Sequence, residues 1–210
     1  MSRRFTPLGV SDVRALAPGC PACVYWETDK PLEVRCAAAC DGDIQREWFV
    51  RVHEEWGECG RVAREGDDVL GFIKYAPARY FPQAVNLPVR PPDWNAPLIA
   101  CMHIRDDARG RELGRLLLHS ALRDLHGRGE RCVYSYAVTR SGDIAEVPMV
   151  SVDFLMRHGF VTDRAHPEYP LLRLDLRTLA ALAEPLEAVL ESLRIPLRRP
   201  GRVPTPSVEI

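Results

Sequence analysis

Arg109-Gly110-Arg111-Glu112-Leu113-Gly114-Arg115 joins an apolar segment, Leu98 to Ile104, to a leucine-rich helical pattern, Leu113 to Leu125. Three arginines therefore stand where a helix begins, although the helix dipole places about half a positive charge there and favours anions. An anion bound to the exposed N–H groups of the first helical turn resolves this conflict. A bound phosphate would account for the arginines and the glycines together.

Hydrophobic periodicity on both sides of this turn predicts alternating strands and helices. Ile44, Trp48, Val52 and Trp56 recur every four residues, as expected for one buried helix face. The order of elements indicates an α/β domain with one central sheet. The predicted elements are helices at 43–57, 113–125, 148–158 and 179–193, and strands at 59–64, 69–75, 98–104, 131–138 and 171–176.

Two proline-rich stretches interrupt this pattern. The segment from Pro77 to Pro97 carries six prolines and is predicted to be a long surface loop, because proline cannot pair inside a sheet. The tail from Pro196 to Ile210 carries four prolines and three arginines. We predict one domain over residues 1–195, with a poorly defined start at 1–40, followed by this tail.

Composition excludes several classes of protein. The formal net charge of −1 provides no general attraction to nucleic acid or to a membrane surface. No apolar run approaches the roughly 20 residues of a membrane helix, and the N-terminus does not have the pattern of a secretory signal. Seven scattered cysteines are not a disulfide framework. We therefore expect a cytoplasmic protein.

Four of the cysteines, Cys20, Cys23, Cys36 and Cys40, have a spacing that resembles a metal site. Thiolates at such distances could hold zinc, or pairs of them could form redox disulfides. The second pair is unusually spaced and separated by three alanines, which is typical of a buried turn of small residues. We favour buried thiols and expect no metal, with a zinc or redox protein as an alternative.

The turn and the strand before it resemble the acetyl-CoA signature of the GNAT superfamily of N-acetyltransferases. In that signature a strand ends in an aliphatic residue, here Ile104, and a short turn, here 105–108, leads to Arg/Gln-x-x-Gly-x-Gly/Ala, here 109–114. A second element of the family, a short helix ending in Gly-Phe, is similar to 154–160. A dinucleotide site is disfavoured, because the glycine spacing differs and no acidic residue ends the next strand.

The resemblance implies a single α/β domain with a mixed, mostly antiparallel sheet that is splayed at the cofactor-binding strand and flanked by helices. It also implies acetyl-CoA as co-substrate and direct attack by an amine in a ternary complex, assisted by backbone N–H groups that stabilise the oxyanion. The expected acceptor is a small-molecule or protein amine, and the proline-rich segment is expected to shape the acceptor site. The implied cofactor-binding residues are Met102, Ile104, Arg109, Gly110, Arg111, Glu112, Leu113, Gly114, Arg115 and Phe154.

The chain departs from the family pattern at Glu112, where the family usually has glycine. Its carboxylate either points away from the expected phosphates or weakens cofactor binding. The position of the family's general-acid tyrosine is Leu155, and that of a frequent asparagine is Pro148. The catalytic residues are therefore left unassigned.

Strand alternation puts Leu98, Ala100 and Met102 on the face of Ile104, and none of these residues titrates. His103 and Cys101 are predicted to point the other way, His103 as a satisfied core residue rather than a base. Candidates for assistance from elsewhere are Arg79, Tyr80, His166, Glu168 and Tyr169. Tyr80 and Phe81 either line an acceptor groove or anchor the loop.

One alternative function is a GNAT-like module that holds acyl-CoA as a sensor and has lost turnover. The inert strand face and Leu155 favour this alternative. Nucleic acid and membrane partners are not expected. The arginine-rich tail is either solvated or packed on a neighbouring molecule, which leaves a homodimer open.

Overall fold

One mixed sheet of eight strands organises the described part of the molecule. The computed structural model describes residues 3–14, 23–29, 43–110, 112–139 and 147–181. The strand order is β1-β2-β3-β4-β5-β8-β7, with β6 paired to β5 beside this path. The strands are β1 (Arg3–Pro7), β2 (Gly60–Glu65), β3 (Asp68–Pro77), β4 (Pro97–Ile104), β5 (Cys132–Val138), β6 (Val150–Ser151), β7 (Val161–Arg164) and β8 (Leu171–Asp175).

Most neighbouring strands are antiparallel, and among the described strands only β4–β5 and β5–β6 are parallel. The predicted hairpin of β2 and β3 is confirmed, with Gly66 in the left-handed conformation of its tight turn (φ 64°). The strands β1, β6 and β7 were not expected. The sequence-based prediction of a mixed, mostly antiparallel sheet is confirmed.

Within the described residues, four α-helices accompany the sheet: α1 (Val10–Arg14), α2 (Asp43–Glu55), α3 (Leu113–Gly127) and α4 (Val152–Arg157). In α2 the four-residue repeat buries Trp48 and Val52, and the helix ends before Gly57, whose φ is 104°. The leucines of α3 lie on β2, β3 and β4 as the sequence predicts. The buried residues of α3 are Leu113, Gly114, Leu116, Leu117, Leu118, Ala121, Leu122 and Leu125.

The proline-rich segment differs from the predicted surface loop. It folds into two short 3-10 helices, Ala78–Tyr80 and Pro82–Asn86, and much of it belongs to the core. Phe81 is fully buried and stacks on Trp48 of α2, with ring centroids 5.3 Å apart. The aromatic residues of this segment supply apolar area that outweighs the proline pattern, so they anchor the segment.

The predicted helix at 148–158 is correct only in its second half. Pro148 precedes β6, and α4 begins after Ser151, whose Oγ accepts a hydrogen bond from the N–H of Phe154 at 3.3 Å. Gly159, with φ 87°, ends the helix as predicted, and the N–H of Phe160 bonds back to the carbonyl of Leu155 at 3.2 Å. The serine cap, rather than Pro148, sets the start of α4.

Near the C-terminus, β8 confirms the predicted strand, and a 3-10 helix follows it over Leu176–Ala181. Most of the predicted helix at 179–193, and the whole tail from Pro196, lie outside the described residues. The chain divides into two compact units, Met1–Thr178 and Leu179–Ile210. The predicted domain limit at residue 195 stays a prediction.

Candidate cofactor-binding site

The parallel strands β4 and β5 separate after only two paired positions. Leu98 pairs with Tyr134 and Ile99 with Ser135, and there the ladder ends. The Ser135 hydroxyl lies 3.2 Å from the Ile99 carbonyl oxygen, at the last paired position. From Cys101 to Ile104, β4 pairs with β3 alone among the described strands. The sheet is therefore open on one side of β4, as the predicted splay requires.

A β-bulge at Ala100 lies where the strands part. Tyr75 of β3 opposes Ile99, and the next residue, Lys74, opposes Cys101, so Ala100 has no partner in the register. Beyond the bulge, Met102 and Ile104 are on the α3 face, and Cys101 and His103 are on the other face. Before it, Ile99 lies with Tyr75, which bonds to Asp124 of α3 at 2.7 Å.

The prediction that Leu98, Ala100, Met102 and Ile104 share one face is therefore wrong. Leu98 pairs opposite Ala76 and belongs to the core cluster on the α2 side of the sheet. The bulge inserts one residue and so inverts the alternation of every position before it. The opposite orientation predicted for Cys101 and His103 relative to Ile104 is confirmed.

The connection from β4 to α3 turns on two left-handed residues. A single 3-10 turn, Asp106–Ala108, is followed by Gly110 with φ 74° and by Glu112 with φ 59°. Glu112 is the N-cap of α3, yet its side chain makes no capping hydrogen bond, so the N–H groups of the first turn are not covered by it. Arg111 lies outside the described residues.

Gly114 lies where β4, α3 and α4 meet. A Cβ atom at this position would be 3.2 Å from Ile104 Cδ1, 3.4 Å from Phe154 Cε2 and 3.5 Å from Met102 Cε. Four of the predicted cofactor-binding residues are thus brought together at the open side of β4. Leu113, by contrast, is 1% exposed and faces the core, so only its backbone can serve a ligand.

Each described charge of the turn has an internal partner. Arg109 pairs with Asp106 at 3.0 Å, and Arg115 pairs with Glu112 at 3.0 Å. The Glu112 side chain is 69% exposed, so its pair with Arg115 lies in water and is weak. The carboxylate partly offsets the positive charge of the turn but does not fill the space at the helix start.

No acid or base of the expected kind lies on the described part of this opening. Leu155, at the position of the family's tyrosine, is fully buried. His103 is half-buried and stacks on Phe72 with ring centroids 6.3 Å apart, and its buried Nε2 has no hydrogen-bond partner. Burial and Arg109 lower the pKa of His103 against an opposing effect of Asp106. The satisfied-core prediction for His103 is therefore wrong.

Lys74, the residue of β3 that pairs with Cys101 of β4, belongs to a buried ion pair that the sequence analysis missed. Lys74 Nζ donates to Glu27 of the segment 23–29, and both side chains are almost fully buried. The same segment places Trp26 against Tyr136 of β5, with ring centroids 6.1 Å apart. It therefore spans the sheet from β3 to β5 across the splay. The one signal in the sequence is a lysine inside an otherwise apolar strand.

The other candidate groups have structural partners. Tyr80 is 4% exposed and donates its hydroxyl to Glu55 of α2 at 2.9 Å, and Arg79 lies 4.7 Å over its ring. His166 Nδ1 accepts from the N–H groups of Glu168 and Tyr169 at 3.2 and 3.1 Å, which closes a turn. Tyr80 and Phe81 were predicted either to line an acceptor groove or to anchor the loop. Their contacts are those of an anchor.

The described residues contain neither a metal-binding cluster nor a membrane-spanning helix. No group of three or more His, Cys, Asp or Glu side chains there could hold a metal ion. Cys20, Cys36 and Cys40 lie outside those residues, so zinc binding by the N-terminal cysteines is untested. Within the same ranges, no helix combines the length and apolar character needed to span a membrane.

Comparison with solved structures identifies the fold. The PaiA N-acetyltransferase of Thermoplasma acidophilum, solved in complex with coenzyme A, is 14% identical with a TM-score of 0.55, over 83% of this chain and 99% of that one. A GNAT-family protein from Desulfovibrio desulfuricans is 17% identical with a TM-score of 0.51, over 83% and 99%. YncA from Salmonella typhimurium, solved with its cofactor acetyl-CoA, is 14% identical with a TM-score of 0.56, over 84% and 95%.

At these identities the likeness establishes the fold, and the predicted GNAT-like fold is confirmed. No model of a protein family matches the sequence, and no curated protein matches it significantly.

Proposed function

We propose that this chain is an acetyl-CoA-dependent N-acetyltransferase that moves an acetyl group to an amine by direct attack in a ternary complex. The observation that carries the proposal is the juxtaposition of Gly114, Ile104, Met102 and Phe154 at the open side of β4. Structures of the same fold include complexes with coenzyme A and with acetyl-CoA.

The residues of the turn suit a diphosphate. The two left-handed residues, Gly110 and Glu112, bring the chain into α3 with the N–H groups of its first turn uncapped by a side chain. Such groups, with the helix dipole, favour a bound phosphate. Arg109 and Arg115 add positive charge. The absent Cβ of Gly114 leaves a cradle that any larger residue would fill.

The role of β4 is to bind and orient the donor. Beyond Ile99 the strand has one edge not paired to β5, so its backbone can bond to an extended amide chain as a further strand would. Backbone N–H groups at the same edge can stabilise negative charge that develops on a carbonyl oxygen. Binding of donor and amine side by side supplies much of the rate, because it makes the attack effectively unimolecular.

The residues at the open side of β4 that cannot act as acid or base favour one alternative function, an acyl-CoA sensor without turnover. Leu155 replaces the family's acid, and Met102 and Ile104, the β4 side chains beside Gly114, offer no base. Release of coenzyme A from acetyl-CoA in the presence of a panel of small amines and lysine peptides distinguishes the two. Acceptor-dependent release supports the transferase, and tight binding with no release for any amine supports the sensor.

The cofactor site is tested by Gly114→Glu. The new side chain fills the cradle and places a carboxylate beside the expected phosphates, so we expect acetyl-CoA affinity to fall at least about 100-fold, on the order of 3 kcal/mol. Gly127→Glu is the matched control, because it makes the same change at the far end of α3, where nothing lies within 4 Å of a Cβ. Isothermal titration calorimetry measures both. Equal affinities in the two variants would mean that the site is elsewhere.

A further inference from the structure

A cluster of basic side chains lies between α3 and α4, beyond the turn that precedes α3. It consists of Arg115, His119 and His158, named here the basic cluster. Arg115 and His119 are four residues apart on α3, so they share one helix face with a separation of about 6 Å along the axis. His158 follows α4, and its ring centroid is 5.8 Å from that of His119. The three groups therefore converge between the two helices.

Within the described residues, Arg115 is the one member of the basic cluster that has a carboxylate partner. The pKa of His119 is lowered to about 4 by burial, by His158 and by Arg115, and no carboxylate of the described residues is among these causes. Glu112 pairs with Arg115 Nη2, but Arg115 Nε is buried without a hydrogen-bond partner.

The charged groups of α4 do not provide a carboxylate partner for the histidines of the basic cluster. Asp153 and Arg157 are exposed, and Arg157 Nε donates to the Asp153 carbonyl at 3.1 Å. An anion bound at the basic cluster would favour the charged form of His119 against the opposing effects of burial, His158 and Arg115.

The tautomer of His158 is fixed in a way that suits an anion. Its Nδ1 lies 2.7 Å from the carbonyl oxygen of Phe154. A carbonyl oxygen only accepts, so Nδ1 carries the proton and Nε2 faces away from this hydrogen bond. Protonation of Nε2 keeps the bond to Phe154 and turns the ring into a cation that can donate to a ligand. The same ring lies 4.4 Å from that of Phe154, which lines the cradle of Gly114.

We propose that the basic cluster is a second phosphate subsite, which binds the 3′-phosphate of the acyl donor. This inference rests on the proposed function. In coenzyme A the 3′-phosphate and the diphosphate are attached to one ribose, so they lie within about two helical turns of each other, ~10 Å. The basic cluster begins at Arg115, directly after Gly114, and ends one turn further along α3. It therefore lies within reach of a phosphomonoester beside a bound diphosphate.

The test compares coenzyme A with 3′-dephospho-coenzyme A by calorimetry at pH 7. The variants are His119→Gln and His158→Gln, with His126→Gln as the control, an exposed histidine on the same helix. We expect the wild type to bind coenzyme A at least about tenfold more tightly, as charge-assisted hydrogen bonds to one phosphate provide. Each cluster variant should lose most of this preference and keep its affinity for the dephospho form. His126→Gln should behave as the wild type.

A second readout is the titration of His119 followed by NMR. Coenzyme A should raise the pKa of His119, whereas the dephospho form should leave it near its value in the free protein. Equal affinity of the wild type for the two ligands, or an undiminished preference in both cluster variants, overturns the subsite and leaves the proposed function standing. If the wild type binds neither ligand, the proposed function fails and the subsite fails with it.

Discussion

Glu112 is the one described residue other than glycine that has a positive φ, and this makes it a sensitive position. A left-handed backbone costs a residue with a Cβ about 1 kcal/mol, which glycine avoids. Glu112→Gly should therefore leave stability unchanged or raise it by up to about 1 kcal/mol, since glycine also loses more entropy on folding. It also removes a negative charge beside the expected phosphates, so acetyl-CoA affinity should rise severalfold.

Glu112→Gln separates the two effects of that substitution. It removes the charge and retains the backbone strain, so affinity should rise without any gain in stability. Urea unfolding and calorimetry on the same samples check both quantities. If neither variant changes the affinity, the carboxylate is remote from the bound donor, and the prediction that it weakens binding is wrong.

His119 makes the stability of the fold depend on pH. Its pKa is about 4 in the folded chain against an ordinary value of 6.5, so the unfolded chain takes up a proton first as the pH falls. The contribution of neutral His119 is therefore fully present above about pH 6.5 and is lost progressively towards pH 4. Urea unfolding at pH 7.5 and pH 4.5 should show a smaller loss of stability for His119→Gln than for the wild type. An equal loss in both proteins would contradict the lowered pKa.

The pairing of β4 with β5 covers two residue positions, and the Ser135 hydroxyl bonds to the Ile99 carbonyl at the second of them. We expect this hydrogen bond to contribute to stability. Ser135 is fully buried, and its hydroxyl lies within hydrogen-bonding distance of the carbonyls of Ile99 (3.2 Å) and Tyr136 (3.1 Å). Ser135→Ala should lower the free energy of unfolding by about 1–2 kcal/mol, because a buried carbonyl loses a donor. Ser120→Ala, on the half-exposed side of α3, should be neutral or slightly stabilising. Comparable losses in the two variants would argue against the role of this bond.

A helix or strand can be predicted from the sequence where its own side chains show a clear hydrophobic periodicity. The helix α3 and the hairpin of β2 and β3 have clear periodicity and turn residues, and the structure has them at the predicted places. The strand β7 is exposed throughout and is held by backbone pairing to β8, so its side chains give no alternation. The bulge at Ala100 is a property of the β3–β4 register, and alanine carries no sign of it.

The part of the candidate site formed by residues adjacent in sequence was predictable, and the part formed by distant segments was not. Residues adjacent in sequence, from Arg109 to Arg115, show their chemistry in a short motif. Contacts between distant segments do not, and both Lys74 with Glu27 and His119 with His158 belong to this kind. A buried lysine is visible in the sequence, but its partner 47 positions away is not. Long-range electrostatics is therefore the part that required the structure.

A buried ion pair between Glu27 and Lys74 fixes the segment 23–29 to the sheet. Burial works against the charge of Lys74, but Glu27 outweighs it, and the pKa of Lys74 is raised. Removal of one partner leaves the other charge buried and unpaired, so Glu27→Leu or Lys74→Met should each cost about 3–5 kcal/mol. The double variant should recover most of that loss, because no unpaired charge remains. Urea unfolding of the four proteins gives the coupling, and additive losses would contradict it.

The bulge at Ala100 also has a consequence for comparing this chain with others. Any method that assumes an unbroken two-residue rhythm along β4 will be out of phase on one side of Ala100. A saturation scan of Pro97 to Ile104 should record this directly: tolerance to polar residues should follow one parity up to Ile99 and the opposite parity from Cys101. Deletion of Ala100 would restore a single parity, and with it the strand would rotate by half a turn against its neighbour. The single residue Ala100 thus determines which side chains of β4 face α3 and which face α2.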